Sequence, residues 1–486
     1  MFRWNWKRAA MSTSRKSSAI WKGKATTLQS CNANTPAVQA RELFSKGCAL
    51  LKTGDPSAAL NYFLRIQDLA APNPAVFLYA GSALHDLRRY DEAVSAYRSA
   101  LQLDSNMGEA HNNLGNSLMA LGRFAEATES FETAARLLPS SPVPLTTLAT
   151  AQQATGKIIE AEMSCREALA LNPDFAEAHW NLALNLLLQG RYSEGWQEYE
   201  WRWLKTGFTS PRLHTDIPQW DGTPLHGRTI LLHAEQGFGD AIQFVRYAPL
   251  VSQQGGTVIL ECHPQLVSLF QVIDGVELVI PFGAAPSGAD YQAPLLSLPR
   301  IYNTTLDNIP ARIPYLYVPP EYRRKWSSLM SGYRDTRRIG LVWAGKSYPD
   351  PLRSCRLSDF APIGDVDNVI FFSLQIGEES EQGAFPPDKM RLIDLTVNIN
   401  DFSDTAALID QLDLIISIDT ATAHLAAALG KPTWLLLPFA PDWRWLLRRN
   451  DSPWYPTMRI FRQEQQDSGW TKVIETVAAA LEDRSL

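Results

Sequence analysis

The stretch ISIDTATAHLAAALGKPTWLLLP, Ile416 to Pro438, reads as strand, sharp stop, helix, glycine turn and second strand. The apolar run that ends at Ile418 has the length of a strand, and Asp419 and Thr420 break it with two residue types that cap helices. An apolar helix follows, Gly430 closes it, and a second strand begins at Thr433. Two buried strands joined through one helix imply parallel pairing and an α/β layout. Capping does not explain His424 inside that helix, where the local pattern favours a packed core histidine over a ligand-facing one.

The same alternation runs from Arg228 to the C-terminus. Strand-like runs occupy Thr229–Ala234, Val258–Cys262, Glu277–Ile280, Arg338–Trp343, Val369–Leu374, Leu412–Ile418 and Thr433–Leu437. A stretch rich in proline and turns, Ala284–Arg338, separates two groups of strands and suggests two Rossmann-like halves. Trp470–Leu481 reads as a closing amphipathic helix.

The N-terminal half follows another rule. Gly47, Gly81, Gly115, Ala149 and Ala183 recur every 34 residues. In register with them come Ala59, Ala93, Ala127 and Ala161, then Phe63, Tyr97, Phe131 and Cys165. Loop glycines Gly54, Gly122, Gly156 and Gly190 keep the period. Each unit is therefore a helix pair in which small residues permit close approach and a large one fills the layer. One pair cannot bury its own apolar face, so stacking supplies the core. This pattern resembles the tetratricopeptide repeat over about Val38 to Tyr199, which implies a concave groove for a protein partner; a spacer or dimerisation arm is the competing use.

Composition sets limits on the rest. A chain of 486 residues calls for two or three domains. No apolar run reaches the roughly 18–20 residues that span a bilayer. Cys31, Cys48, Cys165, Cys262 and Cys355 are odd in number and form no CxxC pair, which favours a reducing, cytoplasmic setting without structural zinc. The formal charge of −6 gives no basis for nucleic-acid binding. Residues 1–36 carry seven basic side chains, no acid and many Ser and Thr, and read as a disordered basic tail. The expected order is thus tail 1–36, repeats 37–200, packed linker 201–227, first α/β half 228–335 and second half 336–486.

Four segments carry candidate chemistry. In LLHAEQGFGDAIQF, Leu231–Phe244, a strand ends before Gly237 and Gly239, and Asp240 stands where the next helix starts. The spacing is not the dinucleotide fingerprint, so a dehydrogenase is excluded. A helix cap accounts for Asp240, but not for two glycines that cost backbone entropy unless something comes close. In the opening stretch, Ala421 and Ala423 leave room at a helix N-terminus able to bind phosphate. In GLVWAGKSYPDPLRSCR, Gly340–Arg356, a strand end is followed by Lys346, Arg353, Ser354 and Arg356, cations suited to a diphosphate, though a solvated loop would also carry them. The aromatic and arginine-rich PDWRWLLRRNDSPWYPTMRIFRQ, Pro441–Gln463, suits a ligand wall or a packed core.

Taken in this order, the four segments resemble the glycosyltransferases related to bacterial lipopolysaccharide heptosyltransferases (family nine), and more closely the bacterial relatives fused to tetratricopeptide repeats. The most specific pieces are Glu235–Asp240, Trp343-Ala344-Gly345, Asp419–Leu425, Asp442–Trp445 and Ser452–Pro456. The resemblance implies a GT-B fold of two Rossmann-like domains. It also implies inverting, metal-independent transfer from a nucleotide-diphosphate sugar, which is a co-substrate and not a cofactor. Asp240 then matches the general base. Gly239, Asp419, Thr420, Ala421 and His424 match donor and phosphate contacts, joined by Arg353, Ser354 and Lys346. Where the heptosyltransferases have Asp-Thr-Gly, this chain has Asp419-Thr420-Ala421, which alters the backbone approach. Asp365-Val366-Asp367 imitates a metal-binding Asp-x-Asp and reads as a turn. The acceptor is a protein or a glycan, recruited by the repeats. The alternative is a non-catalytic repeat scaffold whose transferase-like part senses nucleotide.

Overall fold

The 34-residue spacing becomes helix pairs because, in the first three repeats, the small residue of the first helix is the socket for a ring on the second. A Cβ placed at Gly47, Gly81 or Gly115 would lie 2.7, 2.7 or 2.5 Å from the rings of Phe63, Tyr97 and Phe131. The pairs are Pro36–Thr53 with Pro56–Leu69, Pro74–Asp86 with Tyr90–Leu103, Gly108–Ala120 with Phe124–Leu137, and Pro142–Ala154 with Ile158–Leu171, and the helices Ala176–Leu188 and Tyr192–Tyr199 follow them in the chain. Pro74 and Pro142 sit in the first turn, where no N–H is needed. Asn73 and Ser141 accept the N–H groups of Ala75 and Val143. The second glycine series turns the chain between helices with left-handed backbone, φ 86° at Gly54 and 78° at Gly190. The fold is therefore a helical repeat region followed by a parallel-sheet α/β region.

This computed structural model describes residues 35–483 apart from 285–287, 334, 347–350 and 467. The basic tail expected over 1–36 lies outside the described residues, save its last two. The chain forms two units. One runs to Asn185 and includes Leu204–Gly207; the other holds Leu186–Trp203 and the chain from Phe208 onward. The helix Tyr192–Tyr199 and the turn Glu200–Trp203 thus belong to the α/β unit. Among the described residues no helix is long and apolar enough to cross a membrane.

The α/β unit contains two all-parallel sheets. In the first, β1 (Thr229–His233), β2 (Thr257–Cys262), β3 (Leu278–Pro281) and β4 (Tyr291–Pro294) pair in the order β3-β2-β1-β4. The second holds β5 (Arg337–Val342), β6 (Val369–Ser373), β7 (Leu392–Asp394), β8 (Leu414–Ile418), β9 (Thr433–Leu437) and β10 (Met458–Arg462). Its order is β10-β9-β8-β5-β6-β7. Strand order therefore reverses beside β1 in one sheet and between β5 and β8 in the other. Ligands of open α/β sheets bind outside the carboxyl ends of strands at such reversals.

Strands β8 and β9 are buried along their whole length, as the continuous apolar runs require. The closing helix, Thr471–Glu482, buries Val473, Ile474, Val477 and Leu481 in one cluster with Ile339, Leu341 and Phe360. Three strands escaped the sequence pattern. β4 is the tetrapeptide Tyr-Gln-Ala-Pro inside the proline-rich break, β7 has three residues, and β10 lies within the aromatic segment. All three are edge strands, too short or too polar to show a buried run.

Candidate functional site

Strand β1 delivers the first loop. After His233 the chain passes Glu235 and Gln236, and then the helix Phe238–Phe244 begins. Gln236 takes a positive φ of 60°, held by its own N–H to Ser210 Oγ at 2.9 Å and its Nε2 to the Tyr199 hydroxyl at 3.1 Å. Fully buried Arg202 donates to Glu235 Oε1 at 3.0 Å. Burial lifts the Glu235 carboxyl to about 7 against the pull of that guanidinium. Asp240 is the third residue of the short helix. Its Oδ2 accepts the Gly237 N–H at 2.8 Å, so the capping role holds, and its Oδ1 accepts from Arg444 Nη2. Its side chain remains 18% exposed. Burial raises the carboxyl above its usual range and Arg444 opposes this.

Strand β8 delivers the second loop. Asp419 Oδ2 accepts from the Trp445 indole N–H at 2.9 Å. Thr420 occupies the N-cap position of the helix Ala421–Ala428 with extended backbone, but its side chain caps nothing. Its Oγ1 lies 3.1 Å from Ser417 Oγ. The first N–H groups of that helix are therefore left to whatever occupies the loop. His424 is buried one turn in, with Nδ1 2.9 Å from the Tyr455 hydroxyl and Nε2 3.7 Å from Asp419 Oδ1. Burial, with Arg444 and Arg246 nearby, pushes its pKa well below the usual imidazole value, so the ring is neutral.

These two loops meet. A Cβ at Gly239 would sit 3.1 Å from His424 Cδ2 and 3.6 Å from Ala421 Cα, which gives the glycine its reason. Gly239, Asp240, Asp419, Thr420, Ala421 and His424 are thus brought together. At the neighbouring strand end, Gln375 Oε1 accepts the N–H groups of Trp343 and Ala344, and Ser354 Oγ accepts that of Gly345. Arg353 lies across Gly345 and donates to Lys346 O at 3.3 Å. Its Nε, buried, has no partner among the described residues. Burial and Asp442 raise Asp419 to about 6, while the Trp445 bond, Arg353 and Arg444 oppose them. The Lys346 side chain is exposed. Asp365 ends a 3-10 segment and pairs with Lys389 at 3.0 Å, in keeping with a turn.

Beside Ser354 opens a cavity of about 950 Å³, lined by Ala344, Arg356, Glu379, Gln382, Phe385 and Trp470 among others. The sequence marks Asp442, Arg444, Trp445 and Tyr455 as parts of the resemblance but gives none of them a role at the site. Their signal was the density of aromatic and arginine residues in Pro441–Gln463, which cannot say which side chain reaches which loop.

Two families match this chain. Residues 44–107, 86–142 and 146–200 match the tetratricopeptide repeat. Residues 397–437 match glycosyltransferase family 9 (heptosyltransferase), a segment that contains the Asp419–His424 loop and not Asp240. The chain carries tetratricopeptide repeats and a family-nine glycosyltransferase match. Among curated proteins it is similar to protein FlbA of Caulobacter vibrioides, 29% identical over 338 residues, which is 64% of this chain and 56% of that relative. The chain thus spans little more than half the relative's length. Among solved structures, MamA from Desulfovibrio magneticus RS-1 covers 34% of this chain and 90% of its own, with 20% identity and a TM-score of 0.30. The second repeat domain of human RPAP3, solved with an HSP70 peptide, covers 24% of this chain and 98% of its own, with 25% identity and a TM-score of 0.24.

Proposed function

We propose that the α/β unit is a GT-B glycosyltransferase that moves a sugar from a nucleoside-diphosphate donor to a hydroxyl acceptor with inversion and without a metal ion. The observation that carries this is the apposition of the two loops: a carboxylate, Asp240, and an uncapped helix N-terminus, Thr420–Ala421, meet at the carboxyl ends of two parallel sheets. Asp240 takes the proton of the acceptor hydroxyl as its oxygen attacks the anomeric carbon. The bond from that carbon to the diphosphate oxygen breaks, and its electron pair leaves with the nucleoside diphosphate. The helix N–H groups, Thr420, Arg353 and Ser354 receive the growing phosphate charge. The cavity beside Ser354 has room for the nucleoside. The repeats recruit the acceptor or a partner protein, and a cytoplasmic setting suits the free thiols of Cys48, Cys262 and Cys355.

A thermal-shift panel of UDP, GDP and ADP sugars tests this, because a ligand that binds the folded state raises the melting temperature by mass action. One nucleotide class is expected to stabilise the protein, and Thr420→Val to weaken that effect. No stabilisation by any of them overturns the proposal. Both oxygens of Asp240 are already engaged, which favours a second reading, a non-catalytic scaffold that senses nucleotide. Nucleotide binding without turnover by the native chain would select it.

A further inference from the structure

We propose that Arg444 is a positioning residue for Asp240: it reaches from the loop after β9 to the helix after β1 and fixes the carboxylate at the meeting point of the two loops. The catalytic meaning of this role rests on the transferase reading above; the geometry does not.

The Arg444 side chain is 10% exposed, and its fork is tied on three sides. Nε donates to Gln243 Oε1 at 2.6 Å, Nη1 to Asp442 Oδ1 at 2.8 Å, and Nη2 to Asp240 Oδ1. Asp442 Oδ1 also accepts the backbone N–H of Arg444 at 3.0 Å, closing the turn from which the side chain departs. The guanidinium lies over the Trp443 ring at 4.4 Å, and that ring packs against Trp196 at 5.2 Å. A fork held this way has no rotamer freedom to lose on meeting Asp240, unlike a surface ion pair. It leaves Oδ1 committed to Arg444, whereas Oδ2 accepts the Gly237 N–H and, with no other donor on it among the described residues, keeps a lone pair for an acceptor hydroxyl.

The charged and titratable groups around Asp240 come from every neighbouring element. Asp442 stands beside Arg444, Glu235 lies in the same loop, and Tyr199 belongs to the preceding helix. His263 follows β2, and His424 lies across Gly239. Of these named groups and Arg444, only Arg444 carries a permanent positive charge. Burial and the like charge of Asp442 act in the same direction, so without Arg444 the proton would stay on Asp240 to higher pH. A protonated Asp240 cannot accept a hydroxyl proton. Arg444 therefore sets the pH above which the base works.

The test is a carboxyl ¹³C NMR titration of the full chain, with the Asp240 signal assigned by its loss in Asp240→Asn. In Arg444→Gln the Asp240 midpoint is expected to rise by about 1–3 units. Arg444→Lys, which keeps the charge but not the fork, is expected to fall between that variant and the native chain. Asp442→Asn removes a like charge and frees Arg444 for Asp240, so the midpoint is expected to move down. This opposite sign keeps the proposal open to refutation should Arg444→Gln fold poorly. The acid limb of the transfer rate is expected to move with the midpoint, so that Arg444→Gln regains activity at alkaline pH. An Asp240 midpoint unchanged in both Arg444→Lys and Asp442→Asn overturns the proposal, as does an acid limb that ignores the midpoint. Failure of the transferase reading is seen separately, in the absence of donor binding.

Discussion

The two strand-end loops are built alike and finished differently. Each follows a buried parallel strand, turns sharply, and starts a helix against its counterpart. In the first, the acid spends one oxygen on its own helix and the other on Arg444, so the loop presents a charge with a fixed counter-ion. In the second, Asp419 turns to the neutral Trp445 N–H, and Thr420 leaves the helix end uncapped, so the loop presents unspent donors. On the proposed reading, one loop receives a proton and the other an anion. The same scaffold unit serves both because the side chain at the helix start decides whether the terminus is satisfied internally.

The largest effect is expected where that division is broken at the base. Asp240→Asn keeps the Gly237 contact geometry but removes the proton acceptor, and transfer is expected to fall by about 10²–10⁴-fold. Donor binding, measured by calorimetry, is expected to stay unchanged, because the second loop is intact. Loss of both together would mean that the loops do not divide the work.

A pH experiment sharpens the contrast between the two acids. Asp419 has its carboxyl raised to about 6 by burial and Asp442, well above the usual value of 3.8. Between about pH 4 and 6 the folded chain then holds a proton that the unfolded chain has released. Stability therefore falls as pH rises through that window, by at most about 3 kcal/mol from this group. Asp419→Asn removes the effect, so the stability of the native chain relative to the variant is expected to decline from pH 4 to 6. Denaturant melts at the two pH values read it, and a constant difference would place Asp419 among ordinary acids.

Arg353 tests the anion side alone. Its Nε beside Gly345, without a partner among the described residues, is a charged donor held in reserve. Arg353→Ala is expected to weaken nucleoside-diphosphate binding by about 10–100-fold, the usual range for a charge-assisted bond. The midpoint of Asp240 is expected not to move. A shift there would show the two loops to be electrostatically one site.

These differences explain what could be read from the chain. The repeats were legible because one contact, a small residue under a ring, is iterated at a fixed spacing, as Gly81 under Tyr97 shows. Asp419 was legible because it stops a buried strand, and Asp240 because it stands at a helix start behind two glycines, events that the sequence pattern reveals. Arg444 was not, because its partner lies 204 residues away and nothing local marks which arginine of Pro441–Gln463 crosses to the other sheet. The missing cap at Thr420 was illegible for a related reason: Thr is a good N-cap by type, and only the backbone and Ser417 show that it is not used as one.

The smallest effect is expected at Tyr455, which acts on the second loop from behind. The Tyr315 hydroxyl donates to Ile242 O at 3.0 Å and accepts from Arg246, which leaves it no proton for Tyr455. Tyr455, 3.4 Å from that oxygen and 2.9 Å from His424 Nδ1, donates to the nearer acceptor. The neutral imidazole then carries its proton on Nε2, facing Asp419 and the loop, where it adds one more donor to those of the helix end. Tyr455→Phe removes the partner that selects this tautomer. Long-range ¹H–¹⁵N spectra are expected to show protonated Nε2 in the native chain and a mixture of tautomers in the variant, with a loss of donor affinity of about two- to fivefold. Protonated Nδ1 in the native chain would reverse the direction of the bond, and His424 would then offer the loop an acceptor, as the first loop does.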